Sequence, residues 1–588
     1  MSKEKREIRL RGAPISSGIA IGSPYLYKLA TSELPTFTVA REELQGEVDR
    51  YHRALEESKR EVKVLLKRMG DEGAIEGAAI LESHLQMMQD PMLTEGVLER
   101  IRKTRINTEA AFQGAINDFE VRFSKISDPF FRDRVYDLHD IARRVLGRLR
   151  QKPTTTLAEL PVGSIVFANE LVPSEAAEAD AEKIAAFVTT TGGETSHAAI
   201  MAKSRGIPYV AKIDFSAAGD FTDAPVIVDG RIGEVILYPT EATLSKYRAL
   251  QKELSTYLGA FDHHASYVAE TTDGYQVTLS ANVEMCSEVD QVTRYGGDGI
   301  GLFRSEYLCV GRQTFPSEEE QFGVYRQITE ALPGKPCVIR TFDIGGDKFR
   351  QMEGVADEDN PFLGCRAIRL LLKETTAFRA QLSAILRASA FGDIRLLFPM
   401  VSGLPELLEA KGIVSEVKHQ LRQQNVPFNE DIQIGCMIEV PSAALTTDIL
   451  ARECDFLSIG TNDLVQYSLA VDRDNEQMSY LYSPAHPSVI RLIKMITSEG
   501  NRNGVKVSLC GEVAADPRFT ALLLGLGVQE LSVAARYLPI IKNAIRSTSI
   551  IAAADLAERV LTMPTAITIL DALIAEYQKT IGSSPSLS

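Results

Sequence analysis

Between residues 276 and 534 eight short apolar runs alternate with helical segments: QVTLSANV, GIGLF, CVIRTFDI, IRLLFPMV, QIGCMIEV, FLSIG, VKVSLCG and ELSVA. No other feature constrains the fold as much, because strands separated by helices pair in parallel through right-handed crossovers. Eight such units over roughly 280 residues fit a closed (β/α)8 TIM barrel better than an open sheet, whose strand number is usually smaller.

A barrel of this kind carries its chemistry at the C-terminal ends of the strands. Those ends read Asn282, Arg304 with Glu306, Arg340 with Asp343, Met400, Glu439, Asn462 with Asp463, and Cys510 with Glu512. Two arginines, several carboxylates and an amide on one rim describe a site for a phosphorylated carboxylate held with a hard metal ion. Glu439 and Asp463 end neighbouring strands and are the candidate Mg²⁺ ligands; the lesser alternative for Asp463 is a cap on the helix LVQYSLA. Arg366, Arg369 and Arg473 follow in NPFLGCRAIR and AVDRDN, more cations than local pairing needs. Cys510, beside Gly511, is a candidate proton donor, whereas Cys337 and Cys436 fall in strand interiors where a thiol is usually a small hydrophobe.

The chain has 588 residues, too many for one core, since cores stop growing at roughly 250–300 residues. Two β-rich stretches, IRLRGAPISSGIAIGSPYLY near the start and pieces from Gly163 to Pro239, bracket a charge-rich segment of helical period. That texture predicts an α/β domain made of residues 1–38 and 152–240, with a bundle of about four helices inserted over 39–151. A polar linker helix over 241–260 leads to the barrel over 261–588.

At the α/β exit stands TTTGGETSHAAIMAKSRGIPYV, in which Gly192 and Gly193 permit a tight approach and Thr195, Ser196 and His197 open a helix. A histidine near a cap is ordinarily structural. Here the flanking glycines and hydroxyls make an anion nest, and a neutral imidazole beside a helix N-terminus can attack phosphorus and carry the phosphate.

The 79 acidic and 64 basic residues give a net charge of −15, which argues against nucleic acid or anionic membrane surfaces as partners. No run of eighteen apolar residues occurs, and the N-terminus MSKEKREIRLRG lacks an apolar leader, so a cytoplasmic location is expected. The seven cysteines show no CxxC or Cys/His spacing, which points to free thiols in a reducing compartment. No Walker A sequence is present.

GGETSHAAIMAKSRGIP, GIGLFRSEYL with PSEEEQF, RTFDIGGDK, NPFLGCRAIR, SIGTNDLVQYSLAVDRDN and LCGEVAAD together resemble Enzyme I of the bacterial phosphoenolpyruvate-dependent sugar phosphotransferase system, from about residue 8 to about residue 550. The resemblance implies a swivelling phosphohistidine domain with an inserted helical bundle, followed by a phosphoenolpyruvate-binding TIM barrel that dimerises. It implies that His197 is the phosphorylated nucleophile, that Arg304, Arg340, Asn462 and Arg473 contact phosphoenolpyruvate, that Glu439 and Asp463 bind Mg²⁺, and that Cys510 protonates the enolate. The helical insertion would dock a histidine-containing phosphocarrier protein. The chain departs from the family pattern at Ser17, Glu194 and Cys365, where proline, arginine and an aromatic residue are usual. Pyruvate phosphate dikinase and phosphoenolpyruvate synthase share the phosphohistidine and the barrel but add an ATP-grasp domain, for which this chain has no room. A regulatory homologue not coupled to sugar uptake is the other alternative.

Overall fold

The structure is a computed structural model; it describes the chain apart from residues 1–5, 28–35, 72–83, 86, 125–137, 139–140, 143, 150–156, 158–159, 172–182, 193–198, 200–201, 203–205, 216–220, 222–223, 262–264, 310–313, 346–359, 473–477 and 582–588. Its residues divide into two compact units, Met1–Leu254 and Ser255–Pro585.

In the first unit, β1 (Ile8–Arg11), β2 (Ala13–Ser16), β3 (Ile19–Leu26), β4 (Ser164–Ala168), β5 (Ile184–Thr189), β6 (Tyr209–Ala211), β7 (Val226–Asp229) and β8 (Glu234–Leu237) form one sheet. Its order is β1-β8-β7-β3-β4-β5-β6-β2. Strands β3 to β6 pair in parallel and the remaining pairs are antiparallel. The chain between β3 and β4 carries the helices Leu44–Asp71, Val97–Thr104 and Thr108–Ser124, and residues 144–149 are helical as well. Apolar residues four apart, Tyr51 with Leu55, Val97 with Ile101 and Phe112 with Ile116, turn one stripe of each helix inward. Those stripes belong to the same core as Val166 and Phe187 of the sheet, so helices and sheet are stabilised together.

The helix Glu241–Phe261 follows. Leu244 and Tyr247 on it pack against Ile19, Ile227 and Ile236, and Gln251 Nε2 donates to the Ile19 carbonyl at 3.0 Å.

The second unit is a closed barrel of β9 (Thr278–Val283), β10 (Ile300–Arg304), β11 (Cys337–Arg340), β12 (Ile394–Phe398), β13 (Ile434–Ile438), β14 (Phe456–Ile459), β15 (Lys506–Leu509) and β16 (Glu530–Ala534). Every pairing is parallel, and β16 closes on β9 with Glu530 opposite Thr278 and Ala534 opposite Asn282. All eight apolar runs of the sequence are these strands, and the multidomain α/β organisation ending in a TIM barrel is the one expected. Leu302, Val338, Leu397, Met437, Phe456 and Cys510 form an apolar layer of their own, while alternate strand residues such as Ile339, Ile438 and Leu457 join the larger core shared with the helices. Among the described residues no helix is long and apolar enough to cross a membrane.

Candidate active site

Strand register brings the polar strand ends of the barrel to one rim. Arg340 ends β11 and is buried; it pairs with Glu306, just beyond β10, and with Asp343 Oδ2 at 3.3 Å. Burial opposes the charge on Arg340, yet Glu306, Asp343 and Glu439 overcome it and hold the guanidinium above its ordinary range. Arg304 ends β10 and donates to Glu284 Oε1 at 2.7 Å. Burial likewise opposes its charge, and Glu284 leads the carboxylates that keep it protonated.

Glu439, one residue beyond β13, is 1% exposed, and one of its oxygens accepts from the Met400 N–H at 2.7 Å. Met400 adopts φ +56° to aim that N–H, a left-handed conformation that is uncommon for non-glycine residues. Burial first, then the carboxylates of Asp463 and Asp343, push the Glu439 carboxyl up to about 8 against the pull of Arg340 and Arg366.

Asp463 sits in the helix Thr461–Leu469, whose N-cap is Gly460 without a side-chain capping bond. Its carboxylate instead accepts from Arg366 Nη1 at 3.1 Å. Arg366 also grips Asp343 with two bonds from Nη2 at 2.9 and 3.0 Å and donates to the Tyr467 hydroxyl at 3.1 Å. Asn462 faces the next strand end: its Nδ2 donates to Glu512 Oε1 at 3.2 Å and its Oδ1 accepts from the Glu512 N–H at 3.0 Å. Cys510, just beyond β15, is buried, and burial raises its thiol above the ordinary range despite a hydrogen bond from Ser458. The thiol is therefore held protonated.

Seven buried side-chain polar atoms among the described residues lack a partner, and four of them lie at these strand ends: Glu306 Oε2, Arg340 Nε, Thr341 Oγ1 and Thr461 Oγ1. Unpaired buried polar groups are costly, and their clustering on one rim marks a surface built for a ligand. Among the described residues there is no group of three or more His, Cys, Asp and Glu side chains arranged to hold a metal ion. Two carboxylates, Glu439 and Asp463, repel one another's charge here. An oxygen donor set of that size fits Mg²⁺, which usually takes one or two protein carboxylates and completes its octahedron with substrate oxygens and water.

The matches to known families follow the same division of the chain. Residues 11–134 match the family model described as PEP-utilising enzyme, N-terminal, residues 160–233 the mobile domain of the same enzymes, and residues 261–550 their PEP-binding domain. Over 92% of its length the chain is 38% identical to the phosphoenolpyruvate-protein phosphotransferase of Priestia megaterium, covering 94% of that protein. It is also 38% identical to the Haemophilus influenzae protein of the same name, over 97% of this chain and 99% of that one.

The chain belongs to the phosphoenolpyruvate-protein phosphotransferase family.

A solution structure of an Enzyme I protein aligns with 42% of the chain and 99% of its own length, at 30% identity and a TM-score of 0.36. Of the residues that the sequence nominates for this phosphotransferase, Arg304, Arg340, Glu439, Asn462, Asp463 and Cys510 come together on the barrel. His197 and Arg473 lie outside the described residues. Arg366, one of the surplus arginines in the sequence, joins them through Asp343 and Asp463. Sequence gives its charge but not its placement, which depends on a turn in which Ala367 takes φ +53° and Gly345, at φ +131°, packs directly on the Arg366 backbone, where a Cβ would collide.

Proposed function

We propose that the chain takes the phosphoryl group of phosphoenolpyruvate onto His197 and passes it to a histidine-containing phosphocarrier protein of a sugar phosphotransferase system. The observation that carries this reading is the convergence of half-buried Arg304 and buried Arg340 and Arg366 with Glu439, Asp463 and Cys510 on one barrel rim.

The arginines are bidentate donors suited to the phosphate and carboxylate of the substrate, and their permanent charge stabilises the phosphoryl group as it leaves. Arg473 and Asn462 complete the substrate contacts. Glu439 and Asp463 would hold Mg²⁺, which would neutralise charge on the phosphate when bound. His197 attacks phosphorus in line; enolpyruvate leaves and takes a proton at C3 from the Cys510 thiol, which burial keeps protonated until it is needed. His197 falls within the sequence span of the first unit and these ligands within that of the second, so the mechanism requires a state in which His197 reaches the rim and another in which it faces the carrier. The helical insertion over residues 39–151 is the docking surface for the carrier, and the α/β pieces over 1–38 and 152–240 form the swivelling domain. The barrel over 261–588 is the dimerisation domain, a reading supported by exposed apolar side chains such as Leu445 and Tyr480.

The test is incubation with labelled phosphoenolpyruvate and Mg²⁺, followed by acid and alkali treatment. Acid-labile, alkali-stable label in the wild type and none in His197→Ala is the expected result. Label on another residue in the variant overturns the nucleophile assignment.

A further inference from the structure

We propose that Ser458 is a positioning residue for the proton step: its hydroxyl aims the Cys510 thiol and supports the negative charge left on sulfur when that thiol protonates enolpyruvate. The inference rests on the reading of Cys510 as proton donor and adds a residue to it. Ser458 lies on β14 and is fully buried. Its Oγ donates to Cys510 Sγ at 3.4 Å, and the thiol in turn donates to the Ile459 carbonyl at 3.6 Å. The two bonds orient the sulfur from opposite roles, one as acceptor and one as donor.

The main chain of Cys510 is fixed separately. Its N–H donates to the Ile459 carbonyl at 3.1 Å, and its own carbonyl accepts from Asn282 Nδ2 at 2.9 Å. Asn282 is held in turn by the Ser532 hydroxyl at 2.6 Å. With the backbone already anchored, the Ser458 contact acts on the sulfur itself. Around it stand Leu302, Val338, Leu397, Met437 and Phe456, apolar side chains that offer a thiolate nothing.

The step balances as follows. The C2–C3 π pair of the enolate takes the proton from Sγ, forming a C3–H bond while C2 becomes the ketone carbonyl. The S–H bonding pair stays on sulfur as thiolate. Ser458 keeps its proton, and its O–H···S bond becomes charge-assisted, a class roughly twice as strong as neutral hydrogen bonds. Solvent returns the proton to sulfur after pyruvate leaves. Burial raises the thiol; Ser458, Arg340 and Arg304 act in the opposite sense, and Glu439 acts with burial. Of these groups Ser458 is the uncharged one, so it can be altered without changing the charge of the site.

The test compares full-length Ser458→Ala, Cys510→Ala and Ser508→Ala with the wild type. Ser508 is the control, a buried hydroxyl on β15 that bonds the Leu457 carbonyl at 3.2 Å rather than the sulfur. Iodoacetamide labelling of Cys510 is followed by mass spectrometry of its peptide across a pH series. In parallel, phosphoenolpyruvate stereospecifically labelled at C3 is turned over in heavy water and the chirality of the pyruvate methyl is read. A charge-assisted bond lost from a thiolate raises its pKa by about one unit. After the compensating gain in nucleophilicity, labelling below that pKa slows about threefold in Ser458→Ala. The expected pattern is that slowing, with partial loss of chirality in Ser458→Ala, full loss in Cys510→Ala, and neither change in Ser508→Ala. If Cys510→Ala loses chirality while Ser458→Ala leaves the labelling profile unchanged, the proposal is overturned and the donor reading stands. Chiral product from Cys510→Ala overturns the donor reading, and the proposal with it. Equal slowing in Ser508→Ala reduces the effect to general loosening of the barrel and also overturns the proposal.

Discussion

Glu439 is buried with one oxygen on a backbone N–H and two other carboxylates acting on it, and the consequence is a titration that a metal ion held there would have to reverse. Its folded pKa of about 8 lies above the ordinary value of 4.5. As pH rises between those values the unfolded chain loses this proton first, so the folded state binds more protons and the metal-free barrel loses stability from this group. A divalent cation favours the carboxylate and cancels that loss. We expect Mg²⁺ to raise the melting temperature more at about pH 8 than at about pH 6, and Glu439→Gln to abolish both the rise and its pH dependence. An equal rise at both pH values in the wild type would count against Glu439 as a ligand. Asp463→Ala separates chemistry from stability in another way. Arg366 retains its two bonds to Asp343 in that variant, so the melting temperature is expected to fall by no more than about 4 °C, while Mg²⁺-dependent phosphorylation falls by roughly 100-fold or more. A large thermal shift with normal turnover would return Asp463 to a structural role.

At the level of elements, the strands were readable because each is a short apolar run between helices, and the rim was readable because a parallel barrel puts strand ends together whatever their sequence. Arg304, Arg340, Glu439 and Cys510 are all strand-end residues and were found by that rule alone. Arg366 and Ser458 follow no such rule. Arg366 comes from a loop whose path depends on local backbone conformation, and Ser458 reads as one small residue within the apolar run FLSIG. Met400 was legible as a position but not in its role, because its contribution is a backbone N–H aimed by a left-handed φ. The junction between β15 and the segment that follows offers a test of how tightly the elements fix the rim. Gly511 has an ordinary φ of −76°, but a Cβ there would collide with the Thr461 side chain and backbone. Gly511→Ala must therefore push the Cys510 segment away from the end of β14. The expected cost is about 1–3 kcal/mol of stability, with a loss of self-phosphorylation larger than that destabilisation explains once assayed well below the melting temperature. Wild-type activity in a less stable variant would show that the rim tolerates the displacement.

For the molecule as a whole, the helix Glu241–Phe261 decides where the chain can be divided. Its first half is anchored on the first unit through Leu244, Tyr247 and Gln251, and Tyr247 donates to Glu234 at 3.0 Å. A cut at residue 241 would strip this helix from the sheet that it covers, whereas a cut near residue 255, where the two units divide, leaves its anchored half on that sheet. Each piece then keeps its own core: the shared helix and sheet core in one, the closed barrel in the other. Both are expected to fold. The N-terminal piece retains His197 and the helical insertion, and it is expected to exchange phosphate with an already phosphorylated carrier protein. It has lost Arg304, Arg340, Glu439, Asp463 and Cys510, so it is expected to be inert toward phosphoenolpyruvate and Mg²⁺. The barrel piece has the opposite profile, with substrate binding by calorimetry and no acid-labile label. Phosphorylation of the first piece by phosphoenolpyruvate alone would sink the division of labour between the units. Failure to exchange with the carrier, in a piece shown by circular dichroism to be folded, would remove the docking role from the helices and leave their shared core with the sheet as the reason they are there.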